Sequence, residues 1–110
     1  MSTATNLRAA RALLVTRGWT QGNLVSGDGR LCTAAACWLS RNPPVPLPIF
    51  DLEEIKELSK TILNRNYELR YYSGTSFGLV TLFNDEIAKS VHDVLGLFDT
   101  TIERLEEVGL

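Results

Sequence analysis

The sequence has no run of about eighteen apolar residues, so nothing in it reads as a membrane-spanning helix. Histidine is nearly missing, with His92 alone, and there are two cysteines, Cys32 and Cys37. A structural zinc site built here needs at least one carboxylate ligand, and no metal or cofactor is expected. If Cys32 and Cys37 lie on one helix, their directions differ by about 140°. That is poor disulfide geometry, so reduced, packed thiols are expected. There is no GxGxxG or Walker pattern, and the glycines of Ser26-Gly27-Asp28-Gly29-Arg30 read as a turn. The first residues carry no positive segment feeding an apolar one, so no secretory signal is visible and the cytoplasm is the expected location.

What is present is one domain's worth of chain. At 110 residues and 45% hydrophobic, residues 1–110 suffice for a single core and not for two comfortable domains. Charge is split along it. Residues 1–50 hold five basic residues (Arg8, Arg11, Arg17, Arg30, Arg41) against Asp28, a net +4, whereas residues 51–110 hold six basic and twelve acidic residues, a net −6. Such a dipolar surface can orient a partner or a second copy, so a homodimer is one expectation. The overall charge of −2 argues against nucleic acid binding, and the basic residues are scattered rather than striped.

Periodicity marks four helices. Leu7, Ala10 and Leu14 recur at helical spacing over residues 5–17, with Gly18 at the C-cap and Trp19 folding back. Residues 33–39, rich in alanine, form a short helix whose small side chains permit close approach. Arg41 and the prolines of 42–48 interrupt it, as a connector with polyproline II character. Asp51 can cap the next helix, with Glu54 at the capping-box position. There Ile55, Leu58 and Ile62 form the buried stripe, and Glu53, Lys56, Glu57 and Lys60 face water. The last helix follows Ser90, a cap with Asp93 at its third position. Its stripe is Val91, Val94, Leu95, Phe98, Ile102, Leu105 and Val108.

Two stretches suggest strands. Leu24-Val25 and Leu31-Cys32 flank a tight turn and suit either two very short strands or an ordered loop. Tyr67, Leu69 and Tyr71 read as a strand, Ser73 to Ser76 as a turn, and the apolar, β-branched run 77–83 as the second strand of a hairpin or a buried helical turn. The expected class is therefore α+β and mostly helical: about four helices with one or two short β-hairpins.

Few groups can do chemistry. Cys32 precedes a helix, whose dipole lowers a thiol pKa. His92 is the one imidazole, and Asp85 is one of the carboxylates that can orient it; together they are the catalytic candidates. Asn84-Asp85 interrupts an apolar run just before the last helix, and both side chains suit capping.

Gly18-Trp19-Thr20-Gln21-Gly22, followed by Asp28-Gly29-Arg30, Cys32 and later Phe83-Asn84-Asp85, resembles a family of short uncharacterised proteins of actinobacteria and their bacteriophages. Phenylalanine stands here where that family has tryptophan before asparagine-aspartate, and Lys89-Ser90 replaces its arginine-threonine. The resemblance implies such a source and a compact domain, with no activity attached. It makes Trp19, Gln21, Arg30, Cys32, Asn84 and Asp85 the motif cluster in which to look for a pocket. The leading expectation is a small accessory or regulatory protein that acts by binding a host protein. The alternatives are a small-ligand-binding or cysteine-dependent enzyme domain, and a weak nucleic-acid binder using the basic half.

Overall fold

The computed structural model describes residues 2–41 and 52–110. The polyproline connector and the Asp51 cap lie outside the described residues. Among these, five α-helices build the domain: α1 (Thr3–Arg17), α2 (Thr33–Leu39), α3 (Glu53–Arg65), α4 (Ser76–Leu82) and α5 (Val91–Glu107). A 3-10 turn, Tyr67–Leu69, leads from α3 towards α4, and a π-helical turn, Phe83–Ile87, continues α4. No described helix is long and apolar enough to cross a membrane.

Local chemistry accounts for most helix ends. The Ser2 hydroxyl accepts the Thr5 N–H at 3.1 Å and starts α1. Gly18 ends it, its N–H returning to Leu14 O at 3.0 Å. The Cys32 sulfur takes the capping place on α2, accepting the Ala35 N–H at 3.4 Å. At α5 the Ser90 side chain makes no cap bond; the Asp93 carboxylate instead accepts the Lys89 N–H at 2.8 Å.

α1 packs on α2 and α5, α3 packs on α4 and α5, and α2 lies against α4. The alanines of α2 are fully buried, so its backbone comes close to its neighbours. Leu7, Leu14, Leu31, Ile55, Leu58, Ile62, Leu97 and Phe98 fill the core, each large apolar side chain contributing about 2 kcal/mol by leaving water. Along α5, Leu97 and Thr101 join the buried face, whereas Val108 is exposed.

The expected α+β class is corrected to an almost entirely α-helical domain, and no β-hairpin forms among the described residues. Residues 67–72, read as a strand by alternation, are governed by a spacing of three: Leu69 and Tyr72 pack on the core while Tyr67 and Tyr71 are exposed. Thr75 then caps α4, accepting the Gly78 N–H at 2.9 Å. A Cβ at Gly78 would come within 2.6 Å of the Tyr72 hydroxyl oxygen, so a larger residue there would have to move that ring. Leu79, Val80 and Phe83 point into the core at helical spacing, and that burial outweighs the strand preference of Val80 and Thr81. Thr81 satisfies its hydroxyl by donating to Phe77 O at 2.9 Å. The 18–32 stretch is an ordered loop with isolated bridges, Trp19 to Leu31 and Val25 to Leu31, rather than paired strands.

The charge split is resolved inside the chain. Arg11 grips Asp99 through two bonds of 2.7 and 3.1 Å, and Arg8 pairs with Glu106, tying α1 to α5. Arg41 makes a bidentate pair of 2.7 and 2.8 Å with Glu54, which is fully buried. Glu57 is also buried, contrary to its expected exposure. It accepts Lys60 Nζ at 2.9 Å and Arg104 Nη1 at 2.9 Å, beside a Thr61–Thr101 hydroxyl pair at 2.7 Å.

Burial pushes the Glu57 carboxyl up, but the hydrogen bonds and charges of Lys60 and Arg104 together outweigh it and hold its pKa below the ordinary value. A carboxylate lowered on folding contributes stability above its unfolded pKa, and that contribution is lost as pH falls through the folded value. Glu57→Gln should therefore flatten the acid limb of a urea-midpoint-versus-pH curve below about pH 4.5. Arg104→Met should lower stability at pH 7 by about 2 kcal/mol, because Glu57 Oε1 and the Glu57 carbonyl lose their Arg104 donors while Lys60 keeps only Oε2, measured by chemical denaturation.

Candidate functional site

The site is organised by Asn84, which is 1% exposed within the π-helical turn. Its Oδ1 accepts from Trp19 Nε1 at 2.7 Å, from the Thr33 N–H at 3.0 Å and from Thr33 Oγ1 at 2.8 Å. Its Nδ2 donates to Thr20 O at 3.1 Å and to Asp85 Oδ1 at 2.8 Å. The indole N–H only donates, so it determines which end of the amide carries oxygen. One side chain thus joins the loop after α1, the start of α2 and the segment after α4.

The π turn makes this possible. Ala88 N–H reaches Phe83 O at 2.8 Å, five residues back. Past that bond, Gln21 Nε2 caps the carbonyls of Asn84 at 2.9 Å and Ala88 at 3.2 Å. Gly22 follows at φ +85°, a conformation suited to glycine, and its N–H donates to Asp85 Oδ1 at 2.9 Å.

Beside this framework lies a partly open cavity of about 190 Å³. Leu24, Cys32, Ala34, Phe77 and Thr81 line it, with Asn84 and Asp85. The structure therefore brings Trp19, Gln21, Cys32, Asn84 and Asp85 together: Trp19 and Gln21 as supports, and Cys32, Asn84 and Asp85 at the cavity itself. Arg30 is held by Asp28 at 3.1 Å, with the Ser26 hydroxyl also on that carboxylate, and does not line the cavity. His92 is exposed and lines another groove, with Leu14, Val15, Trp19 and Leu95. It is not brought to Cys32 and Asp85.

Desolvation raises the Cys32 thiol pKa above its ordinary value, outweighing the N–H groups of α2 that lower it. Cys37 is fully buried and its pKa is raised further, first by burial and then by Glu54. Both cysteines are free thiols. Among the described residues no group of three His, Cys, Asp or Glu side chains forms a possible metal-ligand set.

Thr20 and Gly22, part of the motif but not of the expected cluster, complete the site with Thr33, Leu24, Ala34, Phe77 and Thr81, which were not expected there. A signal existed for Phe77 and Thr81, four apart and so on one helical face, once that run is read as helix. Thr20 contributes a backbone carbonyl, which no residue type announces.

A family model, described as a family of unknown function, DUF6197, matches residues 1–104, and the chain belongs to that family. No curated protein matches the chain, and no solved structure matches it.

Asn84→Ala strands buried donors on Trp19 and Thr33. It should cost about 3 kcal/mol in denaturant unfolding and shift the Trp emission of the folded state. Neither cysteine should react with an aromatic disulfide reagent at pH 7 until the protein unfolds. Rapid native labelling of Cys32 would contradict the protonated, buried thiol.

Proposed function

We propose that this member of the DUF6197 family is an accessory or regulatory protein that acts by binding a host protein, with the cavity beside Asn84 as its contact site. The observation that carries this is the convergence of residues 19–22, 32–34 and 77–85 on one preorganised concave surface. Its polar supports are already hydrogen-bonded to one another, so binding there requires little ordering of the receptor. Holding a partner is favoured over covalent catalysis because the Cys32 thiol is kept protonated and His92 belongs to another groove.

The resemblance of residues 18–37 and 83–98 to short proteins of actinobacteria and their bacteriophages supports an actinobacterial protein as the partner and the host cytoplasm as the place of action. A small ligand in the same cavity is the second reading, supported by its size and partial enclosure. Nucleic acid binding loses support because Arg8, Arg11, Arg30 and Arg41 are each paired with a carboxylate. Three of these pairs, Arg8–Glu106, Arg11–Asp99 and Arg41–Glu54, join the basic half to the acidic half within one chain, which weakens the case for a charge-driven homodimer.

The test is capture from an actinobacterial lysate, followed by calorimetry of the purified partner against native protein and Leu24→Arg. Leu24 is 40% exposed at the cavity wall, so the variant should keep its helical circular dichroism. At least tenfold weaker binding by the variant is expected, about 1.4 kcal/mol. Equal affinities would remove the cavity from the interaction.

A further inference from the structure

Among the described residues, Glu54 and Glu57 are buried and Asp85 is partly buried, whereas the other carboxylates are exposed. Glu54 is paired with Arg41, and Glu57 with Lys60 and Arg104. Asp85 has no ion pair among the described residues. Its Oδ1 is occupied by the Gly22 N–H and Asn84 Nδ2, and its Oδ2 has no hydrogen-bond partner among the described residues. Asp85 is only partly buried, so its second oxygen is open to water and available to a cationic ligand that enters the cavity.

Among the described residues Asp85 is also the one charged residue lining the cavity; the other walls are apolar at Leu24, Ala34 and Phe77, carry the protonated Cys32, and are polar but uncharged at Asn23, Thr81 and Asn84. A partly open, mostly apolar cavity with a single negative group suits a ligand with an apolar stem and a cationic end. Its volume sets the size. A cavity of about 150 Å³ accepts a benzene-sized molecule, so about 190 Å³ admits a four-carbon stem with an ammonium head.

We propose that the cavity is a receptor for a primary alkylammonium group, its stem against Phe77 and Leu24 and its N–H donors directed to Asp85. This deepens the binding reading of the preceding subsection and rests on it. The chemistry is that of a lysine side chain presented by a partner protein, and equally of a free aliphatic amine. Charge-assisted hydrogen bonding would supply orientation, and the apolar walls would weaken competition from water.

The experiment is a ¹⁵N heteronuclear titration of the native protein at pH 7 with n-butylammonium, with n-butanol as the neutral analogue of the same stem. The amides of Gly22, Asn23, Leu24 and Thr81 should shift and saturate with n-butylammonium, and n-butanol should bind about tenfold more weakly. Asp85→Asn keeps an acceptor for Gly22 and should make the two probes equal. Equal binding of the probes by the native protein overturns the ammonium preference while leaving a binding cavity; that comparison does not depend on the variant folding. No shift at these amides with either probe overturns both the preference and the cavity. Nα-acetyl-lysine methylamide distinguishes the sources: binding as tight as n-butylammonium identifies a lysine of a partner chain, and its exclusion while n-butylammonium binds identifies a free amine.

Discussion

The Asn84 amide is the constraint on which this architecture depends. Three parts of the chain that share no regular secondary structure meet at its two polar atoms, and each brings a group that would otherwise be buried without a partner. The Trp19 indole N–H, the Thr33 backbone N–H and the Thr20 carbonyl are all satisfied there. Buried polar networks of this kind stabilise only when every member is paired, and among the described residues no buried side-chain nitrogen or oxygen lacks a partner. The loop after α1 can therefore be ordered without strands, because side-chain amides from Asn84 and Gln21 provide bonds that a sheet would otherwise supply.

A second layer of order comes from charge. The basic first half and acidic second half look, in the linear chain, like a surface made for something else. In the fold, Arg8 and Arg11 lie along α5 and reach its acidic side chains, while Arg41 at the end of α2 crosses to buried Glu54 on α3. The exposed pairs contribute little individually. The buried Glu54 and Glu57 pairs have greater consequences, because removing one partner leaves a charge in a place with little water. They set how α3 sits against α2 and α5.

Against that pattern, the cavity is distinctive in its electrostatics. Where the buried carboxylates Glu54 and Glu57 are neutralised, the partly exposed Asp85 has hydrogen bonds but no ion pair among the described residues, beside Leu24, Ala34, Phe77 and a thiol kept protonated by burial. The π-helical turn gives a physical basis for this placement. By widening the helix after α4 it brings Asn84 inward as a structural support while Asp85, the next residue, reaches the cavity. Support and binding surface are adjacent in the chain and differ only in direction.

Helical spacing of apolar residues identified α1, α3 and α5, with Gly18 marking the end of α1, and alanine-rich composition identified α2; the Ser2 and Cys32 caps appear only in the fold. The motif residues Trp19, Gln21, Cys32, Asn84 and Asp85 were also visible as a set, through their resemblance to a family pattern. The sequence did not reveal α4: a short run containing Val80 and Thr81 suits a strand as well as a helix, and packing against α3 and α2 decided between them. Nor did it reveal that Glu54 and Glu57 are buried, since their polar partners, Arg41 and Arg104, come from other elements. The separation of His92 from Cys32 has the same origin. Local spacing determines which residues share a face of one helix, but only the packing of helices decides which faces meet.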